Sequence, residues 1–453
     1  MMTVEEEVGR APVSSSVDQQ LASTGFAQVI VVLNQTRLST KSRNTFSSSF
    51  SVPETSLDAA LVRHALARRG GTSSLRASAS KSLEAPAYRE YPNLGVALGY
   101  IEQQGLKTLR QSKDVVQVFA APPISLIRPA SRAAATEVAK ITWGIDRMGV
   151  PRLWNQGITG KGIRVGHLDT GADGEHPALR GAFADFANFD DLGRERRVRP
   201  YDTDDHGTHT AGTIAGRAVK GRRIGVAPEA MLVSGIVIEG GNVIARVLGG
   251  MDWALGLGIK VLSMSLGFRG YVEDFRVLTS IVRSRGVLPV FAVGNEGAGT
   301  SRSPGNYPEA LSVGASDRKD FVAEFSGSQT LPIGRCPKLV APGVDVVSAM
   351  PGGGYQEMDG SSMATPHIAG LAALLFQAKP SATPDEVEAA IIGSAQRSKR
   401  MREERAGAGL PDAVRAFELL TGKTLQPPVK VSTRKKATRK KAATPAKKRK
   451  ASK

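Results

Sequence analysis

The stretch from Met358 to Leu375, MDGSSMATPHIAGLAALL, constrains the fold more than any other. Beyond Pro366 it is apolar on every side, which predicts a helix buried all round in a core. Because proline is tolerated only in the first turn of a helix, this helix is expected to begin close to Ser362. A serine there meets unpaired backbone N–H groups and the positive end of the helix dipole. Taken alone, Ser361 or Ser362 would be interpreted as a helix cap.

A second reactive side chain, Asp169, lies in the sequence LDTGAD and directly follows an apolar strand run. An acid at the carboxyl end of a buried parallel strand lies where α/β sheets gather their functional groups. An isolated Asp-Thr-Gly is equally compatible with a turn or a cap.

A third segment, residues 205–216, reads DHGTHTAGTIAG and contains His206 and His209. Its small residues predict a helix that packs closely within a core. The two histidines share a helix face, which keeps zinc as a minor alternative. The Glu and the four-residue spacing of the zinc motif His-Glu-x-x-His are absent, and no third ligand is evident. His209 is therefore interpreted as a hydrogen-bonded core residue.

Residues 140–422, which contain these segments, alternate apolar strand runs with helical patterns and predict an α/β fold with a parallel β-sheet flanked by helices. The clearest strand runs are 163–168, 231–237 and 287–293. Residues 1–130 mix strand and helix patterns and predict a small α+β domain. Its expected elements are strands at 27–33, 94–98 and 115–119 and helices at 57–69 and 106–111, with a Ser/Thr-rich stretch at 36–56. Residues 131–139 are predicted to be an exposed linker.

Asp169, His206 and Ser362, in that order and with those neighbours, resemble the subtilisin-like serine proteases, or subtilases. The resemblance covers most of residues 140–400. It implies that Ser362, the serine directly before Met363, is the nucleophile, that His206 is the general base and that Asp169 orients it. It also implies a serine endopeptidase that works through an acyl-enzyme and needs no cofactor. A non-enzymatic, nucleic-acid-associated scaffold with a peptidase-like domain is the alternative.

The same resemblance extends to substrate binding. Asn295, in VGNEG, matches the oxyanion-hole residue of the family. Ser265, Leu266 and Gly267 match an edge strand that pairs with an extended peptide substrate. Gly267 and Gly294 imply a roomy, mostly apolar pocket for the residue before the cleaved bond.

Residues 217–224 carry four cations and no carboxylate, which argues against calcium binding there.

A small α+β domain before such a core resembles the inhibitory propeptide of the family. Residues 1–130 are therefore expected to be removed by cleavage in 121–140, so that the protein is made as a zymogen. A permanent accessory domain is the alternative interpretation.

Residues 423–453 are predicted to be a disordered basic tail. Residues 430–453 hold 12 Lys or Arg and no acid, so most of the net charge of +18 belongs to them. This composition is compatible with sequence-independent binding to nucleic acid, or with a solubilising tail.

Cys336 is the only cysteine, so no intramolecular disulfide can form. The acidic N-terminus lacks a signal-peptide pattern, and no apolar run reaches the roughly 18 residues of a membrane span. These features predict a cytoplasmic protein. The protein is expected to be a monomer, and the resemblance implies protein or peptide substrates. A secreted protein is the alternative if the start has been misassigned.

Overall fold

The computed structural model describes residues 12–34, 46–51, 88–135 and 139–425. The expected helix at 57–69, the basic tail at 430–453 and most of the Ser/Thr-rich stretch lie outside these ranges. In chain order, the helices of the described residues are α1 (Ser15–Thr24), α2 (Gln103–Gln111), α3 (Trp143–Arg147), α4 (Val150–Trp154), α5 (His206–Ala215), α6 (Val243–Gly256), α7 (Arg276–Ser284), α8 (Ser361–Ala378), α9 (Pro384–Ser394), α10 (Glu403–Ala406) and α11 (Ala413–Thr421).

The strands are short and numerous, and most belong to the larger domain. They are β1 (Ala27–Leu33), β2 (Tyr88–Tyr91), β3 (Val96–Ile101), β4 (Val115–Ala120), β5 (Ser125–Leu126), β6 (Ser131–Ala134), β7 (Arg164–Asp169), β8 (Phe183–Phe189), β9 (Glu195–Arg197), β10 (Met231–Ile236), β11 (Val261–Met264), β12 (Leu266–Arg269), β13 (Leu288–Ala292), β14 (Arg302–Ser303), β15 (Leu311–Ser316), β16 (Gln329–Leu331), β17 (Gly334–Cys336), β18 (Leu339–Pro342), β19 (Val346–Met350) and β20 (Gly354–Asp359).

The predicted parallel sheet is confirmed. Eight strands form it in the order β18-β15-β13-β11-β7-β10-β8-β9, and all neighbouring pairs are parallel except β8 and β9. One hydrophobic core covers the face that packs against α5 and α8, and a second covers the face that packs against α6 and α7. Burial on both faces explains why the central strands read as continuous apolar runs rather than alternating ones.

Helix α8 confirms the prediction of a helix buried all round, because every side chain from Ser361 to Phe376 is buried. Pro366 lies in the second turn of α8, whereas the sequence predicted it in the first turn. Proline has no N–H with which to satisfy the carbonyl of Ser362 four residues earlier. The Ser265 hydroxyl donates to that carbonyl instead, at 3.4 Å, which explains how the helix tolerates the proline.

The N-terminal residues form the small α+β domain that the sequence predicted. Its antiparallel sheet has the order β2-β3-β1-β4, and α1 and α2 pack on it around a core of their own. The opposite face of the sheet shares a core with α6 and α7. Asp252 of α6 fixes this docking by accepting hydrogen bonds from the backbone N–H groups of Asn93 and Leu94, at 2.6 and 3.0 Å.

Two ends of the larger domain differ from the expected boundaries. Residues 131–134, which were expected to be linker, form β6 and pair with β20. All four side chains of β6 are exposed, so main-chain hydrogen bonding to an open strand edge, and not a hydrophobic pattern, makes this a strand. At the other end, Leu425 is buried in the core beyond the expected boundary at 422. No helix of the described residues has the length and apolar character needed to cross a membrane.

Candidate active site

Asp169 is the last residue of β7, at the carboxyl edge of the parallel sheet, and its side chain is buried. Its Oδ1 accepts hydrogen bonds from the backbone N–H of Thr170 and from Nδ1 of His206, each at 2.7 Å. Burial alone would raise the pKa of Asp169, but the positive potential of His206 and these hydrogen bonds bring it below its usual value. The carboxylate is therefore held ionised inside the protein.

His206 begins α5 and is completely buried. Gly207 permits this position, because a Cβ there would lie 2.0 Å from the carbonyl oxygen of Gly171. Burial opposes the charged form of His206, but the charge and hydrogen bond of Asp169 outweigh it and raise the pKa of the imidazole. Since Nδ1 donates to Asp169, Nε2 is the atom left for proton transfer, and it has no hydrogen-bond partner among the described residues.

Ser362 is the second residue of α8 and is also completely buried. Its hydroxyl donates to the carbonyl oxygen of Ile127 at 2.8 Å. The hydroxyl of the neighbouring Ser361 turns away and contacts the carbonyl of Gly294 and the side chain of Asn295. The two serines therefore differ in environment: Ser362 contacts a peptide carbonyl, and Ser361 supports the loop after β13.

Asn295 follows β13, and its amide is oriented by α8. Its Oδ1 accepts hydrogen bonds from the backbone N–H and the hydroxyl of Ser361, both at 2.8 Å. This arrangement directs the amide Nδ2 outward, where it donates to the carbonyl oxygen of Arg128 at 2.8 Å. An amide fixed in this way is a preorganised donor for an oxygen that becomes negatively charged.

The predicted substrate-binding strand is already paired with a segment of the same chain. Ser125 and Leu126 form β5, antiparallel to Gly267 and Leu266 of β12. The N–H of Ile127 donates to the carbonyl of Ser265 at 3.0 Å. The chain thus lies across the site as a peptide substrate would, by adding a strand.

The larger domain also matches a known protein family. A family model described as the subtilase family matches residues 160–409, which is more than half of the chain. This chain is a subtilase.

Similar curated proteins are peptidases by name. The M-protease of Shouchella clausii is 38% identical over 273 residues, which cover 59% of this chain and 68% of that protein. Subtilisin Savinase of Lederbergia lenta is 40% identical over 53% of this chain and 86% of its own. The major intracellular serine protease of Bacillus subtilis is 35% identical over 56% of this chain and 80% of its own. The subtilase described here is accordingly a serine endopeptidase.

The buried acid of this subtilase has two further neighbours that sequence patterns did not single out. Thr210 donates to Oδ2 of Asp169 at 3.2 Å, and its hydroxyl contacts Nε2 of His167 at 2.8 Å. Burial lowers the pKa of His167 to about 4, so the ring is neutral near pH 7. Both residues lie in runs that look like ordinary strand or helix, which is why no motif revealed them.

His209 is a core residue, as predicted: it is buried, and its Nε2 contacts the carbonyl of Val346 at 2.8 Å. Burial lowers its pKa to about 3. Within the ranges that the structure describes, no three His, Cys, Asp or Glu side chains are grouped as metal ligands.

The pocket beside Gly267 and Gly294 differs from the expected roomy, apolar space. A Cβ on Gly267 would lie 2.3 Å from the carbonyl oxygen of Ser303, and one on Gly294 would lie 2.9 Å from a carboxylate oxygen of Glu296. Gly294 also has a positive φ of 116°, which favours glycine. The glycines make room for neighbouring protein atoms, including a charged side chain, Arg302.

Proposed function

We propose that this subtilase cleaves peptide bonds with Ser362 as nucleophile, His206 as general base, Asp169 as the acid that orients it and Asn295 as oxyanion donor. The observation that carries the proposal is the peptide carbonyl of Ile127, 2.8 Å from the Ser362 hydroxyl. Asp169 accepts a hydrogen bond from Nδ1 of His206, which leaves Nε2 free for proton transfer. Asn295 donates to the carbonyl of Arg128, the residue after Ile127. Ser362 and Asn295 thus contact neighbouring peptide groups of one stretch of backbone, and Asp169 orients His206.

The chemistry follows from this arrangement. When substrate replaces the segment, Nε2 of His206 takes the proton from Ser362 as the serine oxygen attacks the carbonyl carbon. Asp169 keeps the imidazole in the required tautomer and stabilises the imidazolium. The Asn295 amide stabilises the oxyanion, and His206 then protonates the leaving amine. Water hydrolyses the acyl-enzyme by the same route, and Ser362 regains its proton.

Substrate contacts are proposed for Ser265, Leu266, Gly267 and Gly294. The first three already bind the backbone of residues 125–127 in the antiparallel manner expected for a substrate. Gly294 precedes Asn295 and accepts a hydrogen bond from Ser361 through its carbonyl. These residues are therefore proposed to bind the substrate backbone. The choice between substrate sequences is proposed to depend on neighbouring side chains.

The described form is proposed to be an inactive precursor, a zymogen. The carbonyl oxygen of Ile127 contacts the serine hydroxyl, whereas Asn295 holds the next carbonyl, that of Arg128. Nucleophile and oxyanion donor therefore engage two different peptide groups, and cleavage requires both on one. Ser362 and His206 are completely buried, and the Ile127 carbonyl occupies the serine hydroxyl, so another substrate cannot reach Ser362 while residues 125–127 lie there.

The segment that occupies the site continues to residue 134, and two of its arginines form ion pairs with Asp204 and Asp205, directly before His206. Arg132 forms ion pairs with Asp204, at 2.9 Å, and with Asp205, and Arg128 lies 3.7 Å from Asp204. These contacts accompany the main-chain pairing of β6 with β20. Charge and backbone pairing together hold residues 125–134 in place.

Labelling with a serine-directed fluorophosphonate tests both the site and the inhibition. We expect the adduct on Ser362, and we expect it to form about tenfold faster in the full-length double variant Arg128→Glu, Arg132→Glu, because carboxylates there repel Asp204 and Asp205. Peptide mapping by mass spectrometry locates the adduct, and a time course gives the rate.

The matched control is Arg110→Glu, which reverses a charge that pairs with Asp18 within the N-terminal domain. An adduct on another residue contradicts the proposed nucleophile. An adduct on Ser362 that forms equally fast in all three proteins contradicts the proposed inhibition by the segment.

We also propose a cytoplasmic location and an association of residues 430–453 with nucleic acid. The location is supported by the single cysteine and by the similarity to proteins named intracellular serine proteases in Bacillus subtilis and Paenibacillus polymyxa. The association is supported by 12 cations without an acid.

Replacing residues 430–453 by a Gly/Ser segment of equal length is expected to remove most retention on double-stranded DNA. Binding through phosphates releases counterions, so the retention of the unaltered chain should fall steeply between ~50 and ~200 mM salt. A salt-step elution from a DNA column measures both effects. Equal retention of the two proteins at low salt would rule out a role for the tail.

A further inference from the structure

A buried ion pair lies beside the peptide-binding groove, by which we mean the strand edge at Ser265–Gly267 where residues 125–127 pair. Arg302 is only 6% exposed, and its Nε donates to Oε1 of Glu296 at 2.8 Å. Its Nη2 contacts the same carboxylate oxygen, and its Nη1 donates to the hydroxyl of Ser125 at 3.1 Å. One end of this side chain is thus neutralised by Glu296, while the other faces the segment that occupies the groove.

The stem of Arg302 lies next to the two glycines that border the groove. A Cβ on Gly294 would be 3.2 Å from Cγ of Arg302, and one on Gly267 would be 3.6 Å from its Cβ. Because neither glycine has a side chain, the arginine can extend from β14 towards β5. Any substrate side chain that enters here therefore meets a guanidinium group.

The positions that face Arg302 follow from strand geometry. Side chains alternate along an extended peptide, so substrate residues at the positions of Ser125 and Ile127 are expected to share a face. In the described structure Ser125 is exposed and Ile127 is buried. Ile127 contacts Ser362 through its carbonyl and Ser265 through its N–H, so we assign its position to the substrate residue directly before the bond to be cut. Ser125, which touches Arg302, lies two residues earlier.

On the basis of the proposed peptidase function, we infer that Arg302 determines specificity by favouring substrates with a hydrogen-bond acceptor at the position of Ser125 or Ile127. A guanidinium offers five N–H donors and no acceptor. Both carboxylate oxygens of Glu296 are already engaged, one by Arg302 and one by the N–H of Asn295. Hydroxyl and carboxylate side chains satisfy the donors, and a carboxylate does so with the larger gain.

Apolar side chains at these positions leave a buried donor without an acceptor, which is the condition under which binding sites discriminate most strongly. We therefore expect Ser, Asp and Glu to be preferred over Leu and Phe. Basic side chains are expected to be the poorest, because they bring a second cation beside Arg302.

The test compares kcat/KM for internally quenched peptides that differ only at these two positions, with Ser, Asp, Leu, Phe or Lys at each. Full-length protein is incubated until its activity is constant and then assayed. For the wild type, we expect Asp to exceed Leu by about tenfold at one position or both, the size of one charge-assisted hydrogen bond. Arg302→Met should bring this ratio close to one. Glu296→Gln should raise it, because Arg302 then keeps its full charge.

Arg283→Met serves as the control, since it removes another partly buried arginine, one that pairs with Asp385 and Glu388 of α9. Its ratios should equal those of the wild type.

The inference is overturned if active wild type prefers Leu, Phe or Lys, or if the ratios are unchanged in both Arg302→Met and Glu296→Gln. Because Glu296→Gln leaves the arginine in place, it decides the matter even if Arg302→Met fails to fold. Wild type that cleaves none of the peptides contradicts the proposed function itself, and the inference with it.

Discussion

Ser362→Ala is expected to lower casein hydrolysis by about 10⁶-fold, the size of loss that removal of the nucleophile produces in a related protease. The reason is that the Ser362 hydroxyl contacts the peptide carbonyl of Ile127, whereas the Ser361 hydroxyl contacts Gly294 and Asn295. What activity remains would come from Asn295 and from binding alone. The measurement is the initial rate of release of acid-soluble peptides at saturating casein.

Ser361→Ala is the matched control, because it removes an equivalent hydroxyl one residue earlier. Its hydroxyl supports the Asn295 side chain and the Gly294 carbonyl, so a loss of up to about tenfold is expected from one missing hydrogen bond. Similar rates for wild type and Ser362→Ala would disprove the assignment. A larger loss of activity in Ser361→Ala than in Ser362→Ala would show that Ser361, and not Ser362, is the nucleophile.

The sequence predicted the larger domain well because its signals are local. Apolar runs at 163–168 and 231–237 correspond to adjacent parallel strands, β7 and β10. The buried helix after Ser362 appears where its apolar composition required it. Asp169, at the carboxyl end of β7, contacts His206 at the start of α5, on the edge of the sheet where α/β folds gather functional groups.

The occupied groove could not be predicted, because backbone groups carry it. Residues 131–134 have four exposed side chains and no strand pattern, yet they pair along β20. Likewise, residues 125–127 are recognised through main-chain atoms of Ser265 and Gly267, and any sequence without a proline could make the same bonds. Patterns of side chains cannot reveal pairing of this kind.

The polar pocket was missed for a different reason. Gly267 and Gly294 suggested free volume, but a glycine shows only that something approaches closely, and not what it is. Arg302 is 35 residues from Gly267 and reaches the groove because β14 pairs with β12. Only the tertiary structure shows that an ion pair borders this space.

Asp169→Asn is expected to reduce kcat by about 10⁴-fold, the loss that the corresponding change causes in another triad protease. The carboxamide has nearly the same shape, so packing should be preserved. However, an amide that donates to Nδ1 stabilises the wrong tautomer of His206, with the proton on Nε2. In that state the ring cannot accept the proton of Ser362.

The pH profile separates this effect from simple unfolding. Only neutral His206 acts as a base, so activity should be lost as pH falls through the pKa of His206. In the wild type, Asp169 raises that pKa above its ordinary value of about 6.5, which places the acid limb at a correspondingly higher pH. Without the anion, burial dominates and lowers the pKa, so the acid limb of Asp169→Asn should move to lower pH. A variant with reduced kcat but an unmoved acid limb would show that Asp169 does not act through His206. Since a structural role for the carboxylate predicts no such displacement, the direction of the shift identifies the function of the buried pair.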